Sequence, residues 1–208
     1  VKLTDYNKLL DILKQHLDQK YYVFDVGESK YAGLFYRVGY RGLSHKIVHV
    51  DVFPIIGAPS GLFFQKLFVI TLRIISRLYY CKENPINYPD SIIKRIVLAI
   101  SKVALFWLPS SFLRKINNRL FNLFPINSNG YIVNGCGGYG FKEVIPAQYY
   151  ETSIEKEYAG KMFYVPKRYD EVLKHFYGNY MNFPPQNIIE RDMNREFEVD
   201  DIVKRFLE

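Results

Sequence analysis

Residues 61–124 limit what this chain can fold into more than any other stretch. They carry ten basic and two acidic side chains, a net of +8, threaded through long apolar runs, while the rest of the chain sums to −1. In the run 61–80, Lys66, Arg73 and Arg77 fall within about 40° of one another at 100° per residue, and Leu, Ile and Phe side chains take most of the remaining circumference. This predicts a helix with a wide apolar face and a narrow cationic stripe. Further helices are predicted over 91–108, after Pro89 and Asp90, and over 111–124, between Pro109 and Pro125. No uncharged stretch reaches the ~18 residues of a membrane span. Two uses of the basic helices stay open. With Phe106, Trp107 and Phe112 they suit the interface of an anionic membrane, where each Lys or Arg is worth about 1 kcal/mol. They equally suit a helical subdomain packed on the core with its basic face in water. Nucleic acid is not expected as a partner, because no recognised binding motif accompanies the charge.

The composition of the 208 residues, 49% hydrophobic, 24% charged and 17% aromatic, excludes disordered, collagen-like and coiled-coil chains. Cys81 and Cys136 are far apart, with a spacing that suits neither zinc nor a disulfide framework, and a reducing compartment is the simplest expectation. The opening VKLTDYNKLL is polar and amphipathic, unlike a secretory signal, and Val1 in place of Met leads us to expect a fragment, a processed chain or an alternative start.

Leu3, Tyr6, Leu9, Leu10, Leu13 and Leu17 recur at helical spacing, with Thr4 or Asp5 as the expected cap. Short β-rich runs follow at 21–25, 34–38 and 46–53, separated by Gly27, Gly33, Gly39 and Gly42. Such a helix should lay one face on the sheet. In KIVHVDVFP, period-2 alternation puts Val48, Val50 and Val52 on a face that can be buried and turns Ile47, His49, Asp51 and Phe53 the other way. Asp51 then points from the opposite face with His49 about 7 Å away along the strand, and Pro54 ends the strand. The last third holds the glycine cluster NGCGGYG at 134–140, a strand around 162–165, a helix over 167–177 closed by Gly178, and an amphipathic tail at 199–207. The cluster lacks P-loop and Rossmann spacing, so it reads as a turn.

The segments HVDVFPI, KEVIPAQYYE and GKMFYVPKRYDEVLKHFYGNYMNFPP resemble the LicD family, which includes fukutin and fukutin-related protein. The resemblance runs from residue 1 to about 190 and is most specific where Val165-Pro166, Asp170, Tyr177-Gly178, Tyr180-Met181 and Pro184-Pro185 follow in order. It implies an α+β fold, nucleotidyltransferase-like and similar to the polymerase-β superfamily, with a mixed sheet and helices. On that view, 1–60 is part of the core, 61–125 a basic helical insertion, and 126–208 the C-terminal part of the same domain.

The resemblance also implies a phosphotransferase that moves phosphocholine or a related substituted phosphate from a CDP-activated donor to a cell-surface glycan. The expected acceptors are lipopolysaccharide, teichoic acid or capsule, at the cytoplasmic face of the membrane. Such transfer uses Mg²⁺ or Mn²⁺ held by carboxylates, which neutralises the diphosphate and lowers the pKa of the acceptor hydroxyl. Asp51 matches one of three aspartates of the family's metal site and is the expected catalytic ligand; the other two have no counterpart, so this chain alone is expected to be inactive. Arg37 is either a bidentate grip on the diphosphate or a surface charge, and His49 is either a phosphate-orienting group or an ordinary surface histidine. Tyr177 and Tyr180 either line the donor pocket or, with Met181, maintain the fold. Asp170 reads as a first-turn acid favoured by the helix dipole, and Arg191 as a phosphate contact or a partner of its acidic neighbours. The alternative function is a catalytically inactive membrane-surface or scaffold protein that keeps the fold without a complete metal site. Where the family usually has Phe-Glu-Gly this chain has Tyr158-Ala159-Gly160, and Ile56 stands where an acidic residue commonly follows the Phe-Pro pair.

Overall fold

A computed structural model describes residues 1–28, 31–43, 48–84, 91–126 and 129–190. The fold is α+β. In chain order its elements are α1 (Leu3–His16), β1 (Tyr21–Phe24), β2 (Tyr36–Tyr40), β3 (His49–Val52), β4 (Ile55–Ala58), α2 (Leu62–Glu83), α3 (Ile92–Ala104), α4 (Ser110–Phe121), β5 (Tyr131–Asn134), β6 (Ile145–Pro146), β7 (Ser153–Tyr158), β8 (Lys161–Pro166) and α5 (Tyr169–Tyr177). The tail at 199–207 and Arg191 lie outside the described residues, as do Lys46, Ile47, Pro89 and Asp90.

The strands form small antiparallel sheets, β1-β2-β3, β4-β5-β6 and β7-β8. The parallel character of the expected mixed sheet survives in one bridge, Lys2 to Ile55. There the Val1 carbonyl accepts from the Ile55 amide at 2.7 Å and the Val1 amino group donates to the Phe53 carbonyl at 3.0 Å. Because Val1 and Lys2 are held in this pairing, α1 begins at Leu3 with Lys2 as its cap residue, and Thr4 and Asp5 fall inside its first turn instead of capping it.

α1 packs its leucine face on the first sheet around Tyr6, Val23 and Tyr36. The Tyr36 amide donates to the Tyr6 hydroxyl at 3.0 Å, and the two rings pack at a tilt of 39° with centroids 4.6 Å apart. Desolvation drives the pKa of the Tyr6 hydroxyl far above its ordinary value, so it remains a neutral phenol. Val38 and Val52 join this packed face, but Val50, expected to be buried, is 66% exposed.

β3 stops at Val52, just ahead of Pro54, as the sequence predicts. β4 follows at once and pairs with β5, seventy-odd residues on, so α2, α3 and α4 are inserted between two neighbouring strands. The insertion nevertheless builds the main core: Phe68, Val69 and Leu72 of α2 and Phe121 of α4 close on Ile56, Ala58 and Val133 of the sheet. α2 runs one turn further than the sequence pattern indicates, whereas α3 stops at Ala104 and α4 at Phe121, ahead of their prolines. β7 and β8 form a hairpin whose turn residues, Ala159 and Gly160, both have positive φ, +51° and +73°. That suits a two-residue hairpin turn, whose second position favours a glycine. α5 ends at Gly178, with φ +68°, as the sequence predicts.

Candidate functional site

A cleft of about 390 Å³ opens between the loop before β2, the outer face of α2 and the glycine cluster after β5. Three arginines line it: Arg37 from β2, and Arg73 and Arg77 one turn apart on α2. The far wall is the backbone of Gly135, Gly137, Gly138 and Gly140, so main chain and cations face one another. The Arg73 guanidinium donates to the Gly138 carbonyl at 3.2 Å, and a Cβ at Gly140, whose φ is +66°, would stand 2.7 Å from the same guanidinium. Asn84, buried at the end of α2, also lines the cleft; its amide nitrogen has no hydrogen-bond partner among the described residues.

Arg37 is aimed by Asp51. The strands pair with Arg37 opposite Asp51, so both side chains leave the same face of the sheet. The guanidinium Nε lies 2.5 Å from one carboxylate oxygen and Nη2 3.4 Å from the other, a forked charge-assisted pair with each side chain about one fifth exposed. The ring of Phe35 lies 5.3 Å from the guanidinium. His49 Nε2 is 3.7 Å from the same Asp51 oxygen, while its Nδ1 is buried with no partner among the described residues. Desolvation, helped by the Arg37 charge, lowers its pKa, so this imidazole is neutral at pH 7.

The expected Arg37, His49 and Asp51 thus come together, with Arg37 reaching the cleft. Tyr177 and Tyr180 do not line it. The Tyr177 ring leans edge-on against Tyr139, and the Tyr180 hydroxyl donates to Asp170 at 2.8 Å, with Lys174 holding the other oxygen at 2.6 Å. The Tyr-Gly-x-Tyr motif therefore fastens the end of α5 to its first turn.

The divalent ion expected at Asp51 meets a carboxylate already engaged by Arg37. Among the described residues no group of three or more His, Cys, Asp or Glu side chains converges. The residues present do not by themselves fit a Mg²⁺ or Mn²⁺ site, which needs several oxygen ligands. Cys136 on the cleft wall is likewise no reactive group: burial raises its thiol pKa far above the ordinary value, and it donates to the Leu34 carbonyl at 3.4 Å.

Sequence reasoning missed Glu143, the only acidic residue lining the cleft among the described residues. It is buried in the 3-10 turn Gly140–Glu143 and accepts from the Tyr139 amide at 3.0 Å. Its carboxylate takes the space a side chain at Gly137 would need, a Cβ there falling 2.1 Å from Oε1. Burial raises its pKa, against the Tyr139 amide and the Arg73 charge, which lower it. Between the ordinary carboxylate pKa and the raised one the folded state binds more protons than the unfolded chain, so this group takes stability away as pH rises through that window. Glu143→Gln keeps the Tyr139 acceptor and removes the titration. Its urea midpoint is expected to match wild type in acid and to exceed it increasingly towards neutral pH; a constant difference at all pH values would contradict the assignment.

No protein-family model matches the chain, and no solved structure matches it. Among curated proteins it is similar to the lipopolysaccharide cholinephosphotransferase LicD of Haemophilus influenzae, with 29% identity over 116 residues, 55% of this chain and 42% of that protein. The matched stretch therefore spans less than half the length of that relative.

Proposed function

We propose that the chain is part of a LicD-like phosphotransferase of the nucleotidyltransferase type, and that the three-arginine cleft receives the diphosphate of a CDP-activated donor. The donated group is phosphocholine or a related substituted phosphate, and the acceptor is a hydroxyl of a cell-surface glycan such as lipopolysaccharide. The single observation that carries this reading is the convergence of Arg37, Arg73 and Arg77 on a wall of glycine backbone; similarity to the Haemophilus protein supplies the reaction class.

In this reading the guanidiniums gather the negative charge of the diphosphate, and Asp51 holds the Arg37 fork in a fixed direction. The acceptor oxygen attacks the phosphorus bearing the choline, the bond to the bridging oxygen breaks, and CMP leaves. Glu143, when ionised, is the lining group able to take the hydroxyl proton.

A second reading, a non-catalytic scaffold that keeps the fold, is favoured by one observation: the Arg37–Asp51 pair satisfies the carboxylate without a metal. A transfer assay with CDP-choline, a lipopolysaccharide acceptor and Mg²⁺ separates the two. The phosphotransferase reading expects turnover that falls by orders of magnitude in Asp51→Ala. Donor binding without turnover would leave the scaffold, and turnover undiminished in Asp51→Ala would remove Asp51 from the site.

A further inference from the structure

The helix α3 is built inside out. At 100° per residue Ile92, Ile93, Ile96, Ile100 and Val103 fall on an arc of about 100°, and each is 55–73% exposed. Leu98, on roughly the opposite side, is the buried residue of the helix at 4% exposure. The inner side is fastened by lysines: Lys102 Nζ donates to the Lys82 carbonyl at 2.5 Å, and Lys82 Nζ to the Leu105 carbonyl at 3.0 Å. An amphipathic helix normally turns its apolar stripe to the core. Here the stripe faces outward, continued by Phe106 at 79% and Trp107 at 67% exposure. α2 adds an exposed strip of Phe63, Leu67, Ile70 and Ile74 beside its own cations.

We infer that the outer face of α3 and the turn after it form a docking surface for an anionic lipid bilayer. Charge complementarity selects this occupant. Residues 91–126 contain six basic residues and no acidic one, and Lys94 and Arg95 are exposed in the first turn of α3, outside the apolar stripe. A surface both oily and cationic matches an interface that offers acyl chains and anionic headgroups together. A second copy of the chain would bring the same positive charge against this face, which repels it, and a nucleic acid has no use for an isoleucine stripe. At 1.5 Å rise per residue, the 13 residues of α3 span about 20 Å, short of the ~30 Å hydrocarbon core. No helix among the described residues is long and apolar enough to cross a membrane, so α3 lies in the plane of the interface. This surface is independent of the cleft and does not rest on its assignment.

Trp107 is the chain's only tryptophan and reports on the face directly. On adding vesicles of one part phosphatidylglycerol to two parts phosphatidylcholine, its emission is expected to shift to the blue and the protein to float with the vesicles. Ile93→Glu combined with Ile100→Glu changes only exposed positions, so the fold is expected to persist, as circular dichroism checks. That variant is expected to lose at least about tenfold in partitioning. Lys94→Glu with Arg95→Glu is expected to lose about fivefold per cation at low salt, an effect that shrinks at high salt. Unchanged emission with no flotation at low salt would overturn the inference, and so would flotation equal in wild type and the Ile93/Ile100 variant. If sedimentation showed a dimer that only the glutamate variant dissolves, with no vesicle binding, the face would belong to a second copy and the lipid assignment would fall.

Discussion

Alanine at both Arg73 and Arg77 is expected to weaken the binding of CDP-choline by at least about a hundredfold, because each charge-assisted hydrogen bond to phosphate is worth about 1.5–3 kcal/mol. The two side chains sit one turn apart on α2 and line the same cleft, so they can hold neighbouring phosphates. Neither belongs to the core: both residues are exposed, and Arg73 donates to a loop carbonyl, that of Gly138. Thermal unfolding of the double variant should stay within a few degrees of wild type, which separates a binding defect from a folding one. Calorimetric titration at fixed ionic strength measures the affinity. An unchanged dissociation constant would mean that the donor phosphates lie elsewhere.

The largest effect on stability is expected at Gly57. This residue pairs with Ile132 across β4 and β5, and the chain leaving α4 crosses directly above it. An added Cβ would stand 2.3 Å from the Phe124 carbonyl oxygen and 2.6 Å from that of Pro125. Both obstacles are backbone, so relief requires the segment after α4 to move and opens the core that Phe121 and Phe124 help close. Gly57→Ala is expected to cost about 3 kcal/mol or more, read from urea unfolding. A loss below about 1 kcal/mol would mean that the crossing is far looser than this geometry.

What was legible in the sequence was local. The leucine spacing of α1, the apolar and cationic faces of α2, and the glycine that ends α5 all follow from periodicity and backbone rules applied within one element. The alternation of β3 correctly set Asp51 apart from the valines, but the exposure of Val50 depends on how far α1 covers the sheet. β4 escaped notice because Ile55–Ala58 is four residues long, begins directly after a proline and finds its partner only beyond three helices. The cleft was missed for the same reason. Lys66, Arg73 and Arg77 are visible as a stripe, yet only tertiary packing turns Arg73 and Arg77 towards the glycine cluster and leaves Lys66 5.8 Å from the Phe141 ring centre. The pairing of Asp51 with Arg37 is a matter of strand register, which neither strand reveals alone. Glu143 carries no signal of its own; it lies within KEVIPAQYYE, one of the segments on which the LicD resemblance rests.

The proposed activity requires that this cleft hold the donor diphosphate. The direct measurement is a crystal structure of the protein with CDP-choline bound. Both phosphates are expected inside the cleft, within hydrogen-bonding distance of at least two of Arg37, Arg73 and Arg77 and against the backbone of residues 135–140. Density for the nucleotide at another surface, with these three guanidiniums undisturbed and the cleft filled by water, would contradict it.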